Sequence, residues 1–324
     1  MARVVITGGC GFLGQSVARA VLRRGHLSGA AGPSAVAEVL LADVARPPKL
    51  LFDELEEGAQ VVMGDVSEAS FCRSLFACAK PVSVFHLGAV MSGAGEAGDA
   101  GFDLCLDVNL KGTWNLLEAA RHSSSARPRF IMASAGATLG SGAPTDFVTA
   151  SDRVGDSTRA TPHTTYGMTK AVAELLLADY SRRGYIDGRG VRLPTVAVRA
   201  GAPNAATTGC FSAVVREPLG GRHVVCPIAA DVAHAVTGTA TAVDGLLHMH
   251  EARPELVDAT LGFDRTVFVP SVAVTLAQLE EAVRRVVEPA SHAALGRVSY
   301  EEEPALSDAV RLEIAFTYDL GEAD

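Results

Sequence analysis

The sequence predicts a doubly wound α/β fold, a parallel sheet with helices on both faces, followed by a smaller, less regular unit. Three observations carry this. Short β-branched runs alternate with helix-period segments through the first two-thirds of the chain, as parallel strands joined by crossover helices require. The opening run Val4-Val5-Ile6 passes through glycines at 8, 11 and 14 into a helix with Val17, Ala18, Val21 and Leu22 on one side. The 324 residues, 48% hydrophobic and 20% charged, are enough for one large domain, or a domain and a half, with a well-buried core.

In chain order, the first strand is Val4–Ile6 and its helix follows the glycine turn. Gly25–Ala37 reads as a small-residue loop. A second strand, Val39–Ala42, ends at Asp43, and a third, Gln60–Met63, ends at Gly64-Asp65-Val66. The fourth, Val82–Leu87, runs into a loop over Gly88–Gly101. A helix over Val108–Arg121, a fifth strand at Arg129–Ala133, a long helix at Thr165–Arg182 and a sixth strand at Val196–Arg199 complete the alternation. Beyond Arg199, Pro, Gly and Thr become frequent, and Ala242–His250 is the last clear helix. The implied architecture is a Rossmann-type sheet domain over 1–199, with a segment near 236–262 returning to it. A smaller α+β cap is formed by 200–235 and 263–324.

The glycine spacing has a chemical meaning. One glycine makes the tight turn, one lets the backbone approach a pyrophosphate, and one lets helix pack on strand, while the helix N-terminus offers unpaired N–H groups to phosphate. Gly8, Gly11, Phe12, Leu13 and Gly14 are therefore expected to cradle a dinucleotide. Asp43, at a strand end, can accept hydrogen bonds from ribose hydroxyls and repel a 2′-phosphate, which favours NAD over NADP. Its distance from the turn exceeds the usual ~20 residues, and the Gly25–Ala37 insertion accounts for the excess. A solvated strand-end aspartate is the alternative. Asp65, with Val66 beside it, occupies the next strand end, where it can meet adenine or cap a helix.

Tyr166 and Lys170 are four apart and so share one face of their helix. A neighbouring ammonium stabilises phenolate and lowers a tyrosine pKa from about 10, making Tyr166 a proton acceptor from an alcohol or donor to a carbonyl.

Other features bound the function. No apolar run reaches the ~18 residues that span a bilayer, and the apolar N-terminal stretch is already a strand rather than a signal peptide. With a net charge of −9 and no basic stripe, nucleic acid and membrane are not expected partners. The six cysteines form no C-x-x-C pair and read as thiols in a reducing cytosol. No metal site is expected: His248 and His250 are two apart on a helix, and His86 reads as a satisfied core histidine.

These motifs resemble the extended short-chain dehydrogenase/reductases, the NAD-dependent epimerase/dehydratase group. The resemblance rests on Thr7-Gly8-Gly9-Cys10-Gly11-Phe12-Leu13-Gly14, Asp43, Gly64-Asp65-Val66, His86-Leu87-Gly88-Ala89, Asn109 in Val-Asn-Leu-Lys-Gly-Thr, and Tyr166 with Lys170. General similarity covers about residues 2–250. Within the family, Ala178–Gly188, Arg192–Val196 and Pro203-Asn204-Ala205-Ala206 are similar to D-erythronate dehydrogenases, NAD-dependent enzymes that oxidise the C2 hydroxyl of a four-carbon sugar acid. The resemblance implies that Leu87, Gly88 and Ala89 join the cofactor site, that Asn109 holds the active-site geometry, and that Lys170 also contacts the nicotinamide ribose. It also implies a homodimer joined through helices Val108–Arg121 and Thr165–Arg182.

The chain departs from the pattern in two places. The family's serine, which hydrogen-bonds the reacting oxygen five residues before a glycine, is here Ala135, before Gly140. Ser134 precedes it, but adjacent residues of an extended chain point to opposite sides, so Ser134 substitutes only if a bulge intervenes; Gly136 permits one. Thr138 meets the same parity problem. The segment Ala230–Thr239 is small and alanine-rich where the erythronate enzymes carry an arginine and a tryptophan. Arg216 is then the candidate clamp for a substrate carboxylate, or else the partner of Glu217. The expected activity is NAD-dependent interconversion of a secondary alcohol and a ketone on a small hydroxy acid, with Tyr166, Lys170, Asn109 and Ser134 as the catalytic set. The missing serine leaves open epimerisation or non-redox chemistry with bound NAD, or NAD binding without catalysis.

Overall fold

The computed structural model describes residues 1–29, 32–47, 49–78, 80, 82–139, 155–156, 158–199, 207–304, 306–307 and 310. The chain opens with β1 (Ala2–Thr7), α1 (Phe12–Arg24), β2 (His26–Gly29), β3 (Gly32–Asp43), α2 (Asp53–Gly58), β4 (Gln60–Met63) and α3 (Ala69–Leu75). Then follow β5 (Val82–His86), α4 (Ser92–Gly95), α5 (Gly98–Cys105), a π-helical turn (Leu106–Lys111), α6 (Gly112–Arg121), β6 (Arg129–Ala135) and α7 (Thr165–Arg182). The rest comprises β7 (Asp187–Leu193), β8 (Thr195–Ala197), α8 (Cys210–Leu219), β9 (Val224–Cys226), β10 (Ala233–Gly238), α9 (Thr239–Glu251) and α10 (Pro254–Leu261). It closes with β11 (Thr266–Phe268), β12 (Val272–Thr275), α11 (Leu276–Val286) and β13 (Val298–Tyr300).

A parallel sheet runs β4-β3-β1-β5-β6-β7-β11, with β2 antiparallel to the first half of β3. Pleating sends alternate residues of β1 into different cores. Val4 and Ile6 pack with Val17, Val21 and Leu246 on the α1–α9 face, and Val5 packs with Leu116, Leu117 and Leu177 on the α6–α7 face. Because both faces are covered, the central strands read as continuous apolar runs. A third core around Phe211, Val214, Ile228 and Leu276 holds the cap, whose small sheets are β12-β10-β8 and β13-β9.

Sequence reasoning misplaced several elements. Gly25–Ala37 is no loop: it contains β2 and the first half of β3, an antiparallel pair whose small, alternately half-exposed residues carry little apolar signal. The Gly88–Gly101 stretch contains α4 and the start of α5. The sixth parallel strand is Asp187–Leu193, while Val196 belongs to β8 in the small sheet. The hydrophobic pattern misses β7 because it buries ions. Asp187 is held by Arg129, Arg189 and Arg265, and Arg189 also donates to the carbonyls of Met249 and Ala252 at the C-terminal end of α9. These arginines satisfy both a buried carboxylate and a negative helix end. The seventh strand, β11, lies beyond the 236–262 segment.

Candidate active site

The order of strand addition reverses between β1 and β5, whose last residues, Thr7 and His86, lie in register. Ligands of such sheets bind in the crevice at that point. Here Gly8 has φ +64°, and a Cβ on it would lie 2.7 Å from the Gly88 nitrogen; one on Gly14 would lie 2.3 Å from the Gly8 carbonyl oxygen. The two glycine-bearing loops can therefore touch only without side chains. Gly11 is the N-cap of α1, with no capping side chain and no acidic residue in the first turn.

A cavity of about 690 Å³ follows the strand ends. Gly8, Gly11, Phe12, Leu13 and Gly14 line one part, with Asp43, Asp65 and Val66 beside them. Leu87, Gly88 and Ala89 continue the wall to Tyr166 and Lys170. Asp43 is oriented by backbone donors, its Oδ2 accepting from Cys10 N (3.0 Å) and its Oδ1 from Val44 N (2.8 Å). Asp65 accepts from Ser67 N (2.8 Å) in a local turn, and Asn115 donates to the carbonyls of Val66 (3.1 Å) and Ser67 (2.8 Å).

A buried hydrogen-bond chain joins the Gly88 loop to the π-helical turn. Thr113 Oγ1 donates to the Asn109 carbonyl (2.5 Å), so its lone pair accepts from His86 Nε2 (2.8 Å). His86 Nδ1 then accepts from Thr7 Oγ1 (2.6 Å), which in turn accepts weakly from Gly88 N (3.4 Å). Burial, with the Lys170 charge adding to it, pushes the His86 pKa down to about 3, so the imidazole is neutral. His86 is a structural tie, hydrogen-bonded at both ring nitrogens. Asn109, in the π-helical turn, accepts from Val90 N (2.7 Å) and donates to Val90 O (3.0 Å), clamping the loop after β5.

Tyr166 and Lys170 lie in the first turns of α7, whose N-cap Thr164 accepts from Gly167 N (3.0 Å). A Cβ on Gly167 would lie 2.0 Å from the Ala137 carbonyl oxygen, so this glycine lets α7 approach the end of β6. Lys170 Nζ donates to Ala133 O (2.8 Å) and sits 5.9 Å from the centre of the Tyr166 ring. Burial pushes the Lys170 pKa down to about 8.

Beside Tyr166 stands a methyl group. Ala135, Cys105 and Tyr166 form a small buried cluster with Ala89 and Ala137 against it. No bulge intervenes: β6 and β7 stay in regular register through Ser134↔Arg192 and Ala135↔Leu193. Ser134 lines the cavity, but its hydroxyl donates to Glu174 (2.5 Å), a buried carboxylate paired with Arg192 (2.7 Å). Thr138 donates to the Ala135 carbonyl (3.0 Å). Strand parity thus commits the Ser134 hydroxyl elsewhere, and the 3₁₀ turn Gly136–Thr138 that follows β6 commits that of Thr138. Ser134→Ala is expected to cost roughly 1–3 kcal/mol of stability, the value of a hydrogen bond to a buried charge. Turnover should stay within a few fold; a hundredfold loss at unchanged thermal midpoint would return Ser134 to the catalytic set.

On the cap side, Arg216 is absent from the cavity wall. Its guanidinium donates to Glu217 (2.7 Å) and to the Arg199 carbonyl (2.8 Å). Among the described residues the arginine that lines the cavity is Arg199, whose backbone N donates to Ser212 (3.1 Å). Burial lowers the Arg199 pKa, and the neighbouring Tyr166 and Cys210 oppose the shift. Thr195, Thr208 and His234 complete this wall. Sequence reasoning passed over all four as site residues: Thr195 and Arg199 share one segment, but Thr208 and His234 come from two others with no common spacing. Gly140 and Pro203-Asn204-Ala205-Ala206 lie outside the described residues. Among the described residues no metal-holding cluster of His, Cys, Asp or Glu occurs, and no helix is long and apolar enough to cross a membrane.

The chain is similar to several known proteins. A D-erythronate dehydrogenase of Cupriavidus necator is 39% identical over 95% of this chain and 88% of its own length. A D-erythronate dehydrogenase of Haemophilus influenzae is 30% identical over 95% and 89%. The crystal structure of a nucleoside-diphosphate-sugar epimerase from Agrobacterium tumefaciens superposes with a TM-score of 0.78 at 30% identity, covering 98% of this chain and 87% of that one. Residues 4–239 match the NAD dependent epimerase/dehydratase family, and the chain belongs to that family as an NAD-dependent enzyme of the short-chain dehydrogenase/reductase type.

Proposed function

We propose that this chain interconverts a secondary alcohol and a ketone on a small hydroxy acid or sugar acid, with Tyr166 as acid/base. The observation that carries this reading is the placement of Tyr166 and Lys170 in the wall of the cavity that begins at the Gly8–Gly14 turn. The residues there fit the dinucleotide: the N-terminus of α1 is uncapped by side chains, and the Asp43 carboxylate keeps lone pairs beyond those its backbone donors use. Bound NAD supplies the acceptor for the hydride.

The rest falls to the protein's own groups. Tyr166 takes the hydroxyl proton of the alcohol or returns it to the ketone. Lys170, charged at neutral pH with its pKa near 8, favours the phenolate from the same helix face. Asn109 acts at one remove by holding the Val90 loop. Arg199 and Lys170 are the arginine and lysine among the described lining residues, and Arg199 supports an anionic substrate, since guanidinium matches carboxylate.

Ala135 favours a second reading, epimerisation or non-redox chemistry with bound NAD, or NAD binding without turnover. Absorbance at 340 nm with NAD and a panel of four- to six-carbon sugar acids separates these. Accumulating NADH supports the dehydrogenase. Substrate consumed without NADH, or NAD bound with no turnover at all, overturns it.

Asp43 is assigned to the adenosine ribose. Asp43→Ala is expected to narrow the preference for NAD over NADP by about 1–2 kcal/mol, the scale of hydrogen bonds to a charged group, read by calorimetric titration of both cofactors. Tighter NADP binding by the unmodified chain would remove the assignment. The outer faces of α6 and α7, where Trp114 is 53% and Leu175 65% exposed, are assigned to a second copy of this chain. Sedimentation equilibrium should give twice the chain mass, and a monomer at micromolar concentration would exclude it.

A further inference from the structure

Beside Arg199, the cap-side wall carries a connected set of three uncharged polar side chains. Thr195 on β8, Thr208 in the turn before α8 and His234 on β10 are all buried, and all three line the cavity. Thr195 Oγ1 is 3.0 Å from Thr208 Oγ1 and 2.8 Å from His234 Nε2. The imidazole packs against the Phe211 ring at 5.2 Å. Around them the wall is Leu193, Pro194, Val196 and Ala235.

Proton counting shows what this chain can bind. The Thr195 hydroxyl has one hydrogen and two neighbours. It donates to Thr208, so His234 Nε2–H donates to Thr195 and the chain of bonds ends on the Thr208 hydroxyl with a hydrogen and a lone pair left over. An alcohol hydroxyl, which both donates and accepts, matches both. A carboxylate matches only the hydrogen and an ammonium only the lone pair.

We propose that Thr195, Thr208 and His234 form a subsite for a substrate hydroxyl remote from the oxidised carbon, making this chain selective for a polyhydroxylated acid over its deoxy counterpart. The subsite rests on the reading of the cavity as a hydroxy-acid site. A buried tie between β8, the turn and β10 would use the same bonds, but it would cost stability when broken and leave ligand discrimination unchanged.

The test is calorimetric titration of the NADH-loaded protein with D-erythronate and with (R)-2-hydroxybutyrate, which keeps the carboxylate and C2 hydroxyl but lacks those at C3 and C4. The unmodified chain is expected to bind D-erythronate about 10- to 100-fold more tightly, as one or two paired hydroxyls warrant. Thr208→Val and His234→Phe should cut that ratio below about fivefold, with 2-hydroxybutyrate affinity little changed. Thr208→Ser, which keeps the hydroxyl, should preserve it. A ratio near one in the unmodified chain, including no binding of D-erythronate, overturns the subsite, as does an unchanged ratio in a folded Thr208→Val variant. If a variant does not fold, the ratio in the unmodified chain and in Thr208→Ser still decides. An intact ratio without NADH formation from D-erythronate and NAD overturns the proposed reaction alone, and NADH formation with a ratio near one overturns the subsite alone.

Discussion

Tyr166→Phe is expected to lower turnover about a hundredfold or more while leaving NAD affinity within about twofold. The change deletes one oxygen and keeps the ring that packs against Ala135 and Cys105, so fold and cavity shape should persist. What disappears is the group that takes the alcohol proton. Lys170 remains held by the Ala133 carbonyl, but burial has already lowered its pKa and no phenolate is left for it to stabilise. The measurement is steady-state NADH formation on whichever acid of the panel is oxidised fastest, with calorimetry for NAD. Near-normal turnover would mean that the proton leaves by another route and that Tyr166 only shapes the wall.

Ala135→Ser is expected to raise oxidation of a small sugar acid by up to about a hundredfold, since a preorganised donor at a reacting oxygen is typically worth about 10²–10³ in rate. The new hydroxyl would sit where the Ala135 methyl now meets Tyr166, on the strand face opposite Ser134. It needs no rearrangement of the buried Ser134–Glu174–Arg192 network, which lies on the other side of β6. Substrate affinity should change less than turnover, because the bond strengthens as negative charge develops on the oxygen. Rapid D-erythronate oxidation by the unmodified chain, with no gain in Ala135→Ser, would show that the missing serine costs nothing in this pocket.

The sequence by itself determined the glycine turn, the carboxylate at the end of β3 and the Tyr166–Lys170 pair. Each follows from a local rule of backbone geometry: a strand–turn–helix junction, the residue where a strand stops, and the four-residue recurrence of a helix face. The tertiary structure alone decided which way Ser134 and Ala135 face, because parity depends on whether β6 is bulged, and its register with β7 is regular. It replaced Arg216 with Arg199 in the cavity wall: the sequence offered Glu217 as a partner for Arg216, but the bond from Arg216 to the Arg199 carbonyl forms only once α8 is packed. It also showed a strand in Asp187–Leu193, whose charges are tolerable inside only because Arg129 and Arg265 arrive from distant segments. Thr195, Thr208 and His234 likewise meet only across three separate elements. Side-chain partners remote in sequence are chosen by packing, and hydrophobic periodicity carries no record of them.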